Sequence, residues 1–312
     1  YGGATPAETG RVPLIPVRGF ERIRQNSERI RAFFARADRV VFPQAAQEGT
    51  GPGRKFRRHC DMDRIQMAKS NMEKFFGRGA APLEKTDPEF AAIRDRPIYG
   101  QIASRGTLGD SLRMLVTLVS LTAGQNLDEF KEQVKAALRA GLTPIEIREA
   151  LYHCAPYAGL PRAESAVRLA DQVFRASGVD LPLPDAATVT EETRFKDGLA
   201  AQKAIFGDSI DEMHKNCAPG QKDIMVDYLS SYCFGDFYTR RHLDLKTREL
   251  LTFSIIATLG GCEPQLKAHT QGCANMGLTK QNLVDAIACL VPLIGFPRSL
   301  NALGCVNAVL AD

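Results

Sequence analysis

The chain has 312 residues, 44% apolar and 24% charged, with a net charge of +4, enough to bury a core in two domains or in one domain made twice. That composition belongs to a globular protein, and +4 is too small to mark a nucleic-acid binder by itself. No run reaches the roughly 18 uninterrupted apolar residues that span a membrane, so neither nucleic acid nor a membrane is expected as a partner.

Residues 1–17 are rich in Gly and Pro and read as an extended arm. Phe20, Ile23, Ile30, Phe33 and Phe34 then recur at helical spacing among arginines, which predicts one amphipathic helix over 18–41 that packs on the protein's own core or on a neighbouring subunit. Pro43 to Gly53 reads as a loop, and the basic run Arg54-Lys55-Phe56-Arg57-Arg58 as a solvated segment. The chain starts at Tyr1 rather than Met, which leaves room for a removed targeting segment. Eight cysteines form no C-x-x-C pair, so a reducing compartment, the cytoplasm, is the simpler expectation.

Beyond residue 60 the chain repeats itself. Ala140-Gly-Leu-Thr-Pro-Ile-Glu-Ile-Arg-Glu-Ala150 returns as Met276-Gly-Leu-Thr-Lys-Gln-Asn-Leu-Val-Asp-Ala286. Pro156-Tyr-Ala-Gly-Leu-Pro161 returns as Pro292-Leu-Ile-Gly-Phe-Pro297, at the same offset of 136 residues. Upstream, Arg113-Met-Leu-Val-Thr117 matches Arg248-Glu-Leu-Leu-Thr252 at 135, so one residue is gained or lost between. The predicted organisation is an arm and helix over 1–60, a first repeat over 61–177, a linker over 178–190 and a second repeat over 191–312.

Within each repeat the helix signals are local. Leu112–Ala123 and Ile287–Phe296 are apolar enough to be buried helices. Thr143-Pro144-Ile145-Glu146 combines an N-cap, a first-turn proline and a capping-box glutamate. Gly141 and Gly277 stand where a preceding helix ends in the left-handed region. Pro156 and Pro292 should stop or kink their helices for want of an amide hydrogen, and Gly159-x-Pro161 and Gly295-x-Pro297 should form the corner before the last helix. No stretch alternates with period two, so the fold class is all-α.

Candidate chemistry sits in the second repeat. Cys262, Gln265 and His269 share one face of a predicted helix at i, i+3 and i+7. Glu249 lies on the preceding helix, which runs back antiparallel after the Gly260-Gly261 corner and brings a carboxylate beside the imidazole. Such a pair fixes the imidazole's tautomer and suits acid–base work near neutral pH. In the first repeat the matching positions are Met114, Gln133 and Asn126, none of which titrates near pH 7; that half reads as a structural partner. Arg298 is a candidate for binding a carboxylate, His242 offers either positive charge or a solvated loop, and His153 reads as a core residue. No phosphate loop, nucleotide fingerprint or metal-ligand cluster is present, and Cys262 with His269 is too few for zinc.

These residues resemble the carboxymuconolactone decarboxylase family, which also holds the alkylhydroperoxidase D-type proteins. The resemblance is carried by Lys246-Thr-Arg-Glu-Leu250, Cys262-Glu-Pro-Gln-Leu-Lys-Ala-His269, Gly277-Leu278-Thr279 and Pro292-Leu-Ile-Gly-Phe-Pro-Arg-Ser-Leu-Asn301, and covers roughly 90–312 as tandem copies. It implies an all-helical fold, assembly into a trimer of tandem chains, and a cofactor-free lyase or isomerase. The substrate would be a small carboxylated lactone or enolisable acid, with Glu249 and His269 as the acid–base pair, Cys262 beside them, and Gln265, Arg298 and His242 as substrate contacts. The peroxidase branch of the family uses C-x-x-C, and here the second thiol position is Gln265, which cannot resolve a sulfenic acid. A thiol peroxidase or redox sensor would need Cys262 to pair with Cys273 or Cys289. Cys273 is roughly 16 Å away along one helix, beyond disulfide reach. The third reading is a non-catalytic binding or scaffold protein.

Overall fold

A computed structural model describes residues 63–77 and 82–311; the N-terminal arm and the helix expected over 18–41 lie outside them. The described residues contain helices and no strand. Helix α1 (Arg64–Phe76) precedes a 3₁₀ turn (Pro82–Lys85), α2 (Pro88–Asp95) and a π-type segment (Arg96–Ile102). Then follow α3 (Asp110–Gly124), α4 (Phe130–Arg139), α5 (Pro144–His153), the single turn α6 (Ala155–Ala158) and α7 (Leu160–Ala176). Residues 179–190 run without regular structure. After them the order returns: α8 (Arg194–Phe206), α9 (Ser209–Lys215), a second π-type segment (Asp223–Tyr238), α10 (Leu245–Leu259), α11 (Glu263–Asn275) and α12 (Lys280–Val309).

The two repeats superpose in register. Helix α10 starts and ends 135 residues after α3, and both end on a residue with positive φ, Gln125 (56°) and Gly260 (68°). The Thr143 and Thr279 capping boxes lie 136 apart. The extra residue therefore lies between Gly260 and Gly277. Gly141 and Gly277 close their helices at φ 93° and 81°, as expected of C-terminal glycines.

Proline places a break in one repeat only: α5 stops at His153, just before Pro156, and α6 begins at Ala155. Helix α12 runs through Pro292 and turns at Gly295 (φ 74°, ψ 169°), and α7 starts after Gly159 (φ 92°, ψ 147°). Proline forfeits one hydrogen bond while its φ stays helical; the reversal needs a dihedral pair that only glycine takes without strain. The same break matters for membranes. By length and composition 280–309 could cross one, but Gly295 divides it into two arms, each shorter than the roughly 20 residues a span needs.

Helices α3 and α10 form the centre. Nine residues of α3 from Met114 to Ala123 and every residue of α10 from Arg248 to Thr258 are buried. A helix apolar on all sides must be enclosed by others, and each Leu, Val or Phe so enclosed contributes about 1.5–3 kcal/mol. Thr258 donates to Ser120 across this contact at 2.9 Å. Around it, α1 and α8 each lie against the π-type segment of their own repeat. A Cβ on Gly235 would fall 2.3 Å from the Arg194 carbonyl oxygen, and one on Gly100 2.1 Å from that of Arg64. Only glycine lets the backbones approach so closely, and this seats Tyr238, one turn after Gly235, against α10.

Candidate active site

Helices α10 and α11 are joined by two glycines with φ near 70° and pack side by side. That reversal brings the second turn of α10 to the middle of α11, where Glu249 Oε2 lies 2.9 Å from His269 Nδ1. The carboxylate is fully buried, while the imidazole keeps 12% of its surface exposed. With Nδ1–H donating to the carboxylate, Nε2 is left to exchange a proton with whatever enters.

The carboxylate's other oxygen is also occupied: Tyr238 donates its hydroxyl to Glu249 Oε1 at 2.8 Å. Having spent its hydrogen there, the Tyr238 oxygen accepts from the Thr252 hydroxyl at 2.8 Å and from the Tyr157 hydroxyl. Thr252 in turn accepts from His153 Nε2 at 2.9 Å, and His153 Nδ1 faces Arg248 Nη1 at 3.4 Å. Every hydroxyl hydrogen is used once, so donation runs from Arg248 through His153, Thr252 and Tyr238 to Glu249, and the carboxylate accepts from His269 on its other side. Burial, and then the Arg248 charge, hold His153 well below its ordinary 6.5, which keeps it neutral, as the chain requires. Burial and the Glu249 charge push the Tyr238 hydroxyl well up, and burial pushes Tyr157 up likewise. Both phenols stay protonated.

Aromatic walls complete the site. The rings of Phe206 and Tyr157 meet the His269 imidazole edge-on at 5.3 and 5.7 Å. Gly272, one turn after His269, leaves room for the pair: a Cβ there would sit 2.4 Å from Glu249 Oε2 and 3.0 Å from Phe206. Arg248 is held under the site by Glu149, whose carboxylate also takes two bonds from Arg240 at 2.9 and 3.1 Å.

Several expected site residues stand elsewhere. Arg298 donates to the Thr258 carbonyl at 2.8 Å, nine residues and about 13 Å along α10 from Glu249. It closes the end of that helix, as Arg162 does for Ala123 in the first repeat at 2.6 Å. His242 is exposed on the loop before α10 with φ 76°. Gln265 is exposed on the first turns of α11. Cys262 is the N-cap of α11 and partly buried, seven residues or about 10 Å along the helix from His269. The described cysteines are all unpaired.

The first repeat is more than a structural partner, because His153 and Tyr157 come from it. Reading along one repeat misses them, since the contact arises only when the repeats pack. Tyr157 did carry a signal: it falls in the repeated corner block, where its counterpart is Leu293. Tyr238, Thr252, Phe206 and Gly272 were also missed. The tyrosine lies in a π-type segment, where the 3.6-residue period that marks a face does not apply.

A family model agrees with the duplicated architecture. The model of the carboxymuconolactone decarboxylase family matches residues 88–172 and again 225–308. The 4-carboxymuconolactone decarboxylase of Acinetobacter baylyi is 33% identical over 107 residues, 34% of this chain and 80% of its own length. An uncharacterised 15.0 kDa protein of Paracoccus denitrificans is 33% identical over 90 residues, 28% of this chain and 66% of that protein. A solved structure from Burkholderia xenovorans, named as a gamma-carboxymuconolactone decarboxylase subunit, aligns with a TM-score of 0.47 at 18% identity, over 76% of this chain and 94% of that one.

Proposed function

The chain belongs to the carboxymuconolactone decarboxylase family, and on that premise we propose that it is a lyase acting on a small carboxylated lactone or related enolisable acid by His269–Glu249 acid–base chemistry. The observation that carries the reading is the 2.9 Å contact between a fully buried carboxylate and a partly exposed imidazole. In a substrate whose carboxylate sits on a carbon alpha to a carbonyl, or gamma to it through a double bond, the substrate's own carbonyl takes the electron pair, so no separate electron sink is needed. The bond to the carboxylate carbon breaks, carbon dioxide leaves, and the pair enters an enolate. His269 Nε2 then delivers a proton to carbon, and the imidazole regains one from solvent. Glu249 stabilises the imidazolium that gives up this proton and holds the neutral ring, through Nδ1–H, until it is recharged; Tyr238 stops the carboxylate from turning away.

Turnover of 4-carboxymuconolactone and related small carboxylated lactones, followed by carbon dioxide release, tests the proposal. In His269→Ala the rate should fall by at least about 10²-fold, the usual contribution of a general acid or base, with the helical circular dichroism intact. Undiminished turnover in that variant removes the reading. Assembly belongs to the same proposal, since exposed apolar side chains recur at matched positions, Ile93 with Tyr228 and Leu160 with Phe296. Singly placed they would mean little, but repeated faces suit contacts between copies. Sedimentation at the mass of one chain would count against a trimer.

A further inference from the structure

The first repeat has a hollow where the second has its site. A cavity of about 200 Å³ opens between α1, the first π-type segment, α3, α4 and α12. Part of its lining is the counterpart of the residues around His269. Met114 stands for Glu249 and Gln133 for His269; Ala103 stands for Tyr238, and Leu293 for Tyr157. Two phenol rings have become an alanine and a leucine, and their absence accounts for the space. The exchange crosses repeats here too, because Leu293 and Cys289, the counterpart of His153, come from α12 of the second repeat.

The chemistry of the lining selects the guest. Arg94 is matched by Asp95 at 2.8 Å and Glu129 at 3.1 Å. The Arg113 guanidinium is spent on the carbonyls of Ala103 and Arg105, with Asp110 at 3.8 Å. Of these groups Arg94, Arg113, Glu129 and Asp110 line the cavity, two of each sign, which leaves no net charge to attract an organic acid. Most of the remaining wall is apolar, from Phe75, Ile98, Leu121 and Leu293. The polar groups that face inward are neutral: the Gln133 amide, the Thr117 hydroxyl and the Tyr99 phenol, which is bonded to Gln133. The volume exceeds the roughly 150 Å³ at which an engineered apolar cavity takes up benzene.

We infer that this cavity is a non-catalytic binding site for a small, neutral, largely apolar molecule of single-ring size with one hydrogen-bonding group, held by Gln133 and enclosed by the apolar wall. The inference concerns a site distinct from His269 and stands whether or not the lyase reading holds. Phenol is a suitable probe, titrated calorimetrically into the full chain. Saturable binding at one site per chain is expected. Ala103→Phe, which restores a ring where the second repeat carries one, should weaken it by at least about tenfold. Leu293→Phe should do the same and serves if the first variant does not fold. Gln133→Leu removes the polar contact without filling the space and should cost about three- to tenfold. His269→Ala should leave phenol affinity unchanged. No saturable binding, or binding lost in His269→Ala and kept in both ring-restoring variants, overturns the inference.

Discussion

Gly272→Ala probes the site without touching any group that does chemistry. The new Cβ would lie 2.4 Å from Glu249 Oε2, and ordinary contact begins near 3.4 Å. The oxygen must therefore withdraw by about 1 Å, the difference between those two distances. Ile205 and Phe206, each 3.0 Å from the same Cβ, close the other directions. A carboxylate free in solvent would rotate at little expense, but this one is fixed at both oxygens, by Tyr238 at 2.8 Å and His269 at 2.9 Å. Retreat breaks one bond or the other. A buried hydrogen bond to a charged group contributes about 1.5–3 kcal/mol, and alanine in place of glycine inside a helix returns about 1 kcal/mol. The net loss of stability should be small, about 0.5–2 kcal/mol by urea denaturation. Activity should suffer more, because a 1 Å misplacement of a catalytic group typically costs about 10²-fold. The assay is kcat on the lactone that the unaltered chain turns over, read beside the Nδ1 proton resonance of His269. A kcat within about twofold of the parent, with that resonance unmoved, would refute the argument that the pair must stay in contact.

Two further outcomes follow from the same network. Tyr157→Leu installs the residue found at the matching position of the other repeat; it should lower kcat by about tenfold or more, with about 2–4 kcal/mol lost in stability. Unchanged kcat would return the first repeat to a purely structural role. His153→Gln tests the neutral imidazole. Its folded pKa lies below the ordinary 6.5, so the unfolded chain binds a proton there that the folded chain refuses. The stability linked to this group is intact above pH 6.5 and declines as pH falls below it, by up to about 1.4 kcal/mol per unit. Urea midpoints at pH 7.5 and 5.5 should show that slope in the parent and less of it in His153→Gln; equal slopes would contradict the assignment.

How far the sequence could be read depended on whether a feature was local. The 136-residue offset, the Thr143 and Thr279 caps and the glycines at 141 and 277 are written within a few residues each, and all appear in the structure. The pairing of Glu249 with His269 was legible as well, because two consecutive helices joined by a glycine corner leave little choice of neighbour. Contacts between repeats were not legible. His153 meets Thr252 across 99 positions of chain, and only the packing of α3 on α10 decides that they touch. Arg298 shows a different limit: an arginine beside a repeated corner suggested a carboxylate ligand, and Arg162 in the same place shows that it also closes a helix end.

The two repeats also explain each other through charges at matched positions. In one direction Glu149 of the first repeat holds Arg240 and Arg248 of the second. In the other, Asp285 of the second repeat accepts from Thr107, beside Arg105 and Arg113, the counterparts of Arg240 and Arg248. The Arg248 side chain bonds the Arg240 carbonyl at 2.9 Å, and Arg113 bonds that of Arg105 in the same way. Both sockets thus share a frame, and they differ in what fills it. One holds a carboxylate, an imidazole and two phenols, each with its partner; the other holds Met114, Gln133, Ala103 and Leu293 around a space. A phenol at either position of the first socket would have no buried carboxylate to take its hydrogen, and an unmet hydrogen bond costs about 1–3 kcal/mol. The first repeat cannot drift further without releasing Glu149 from Arg248, and with it the histidine and tyrosine that brace the surviving site.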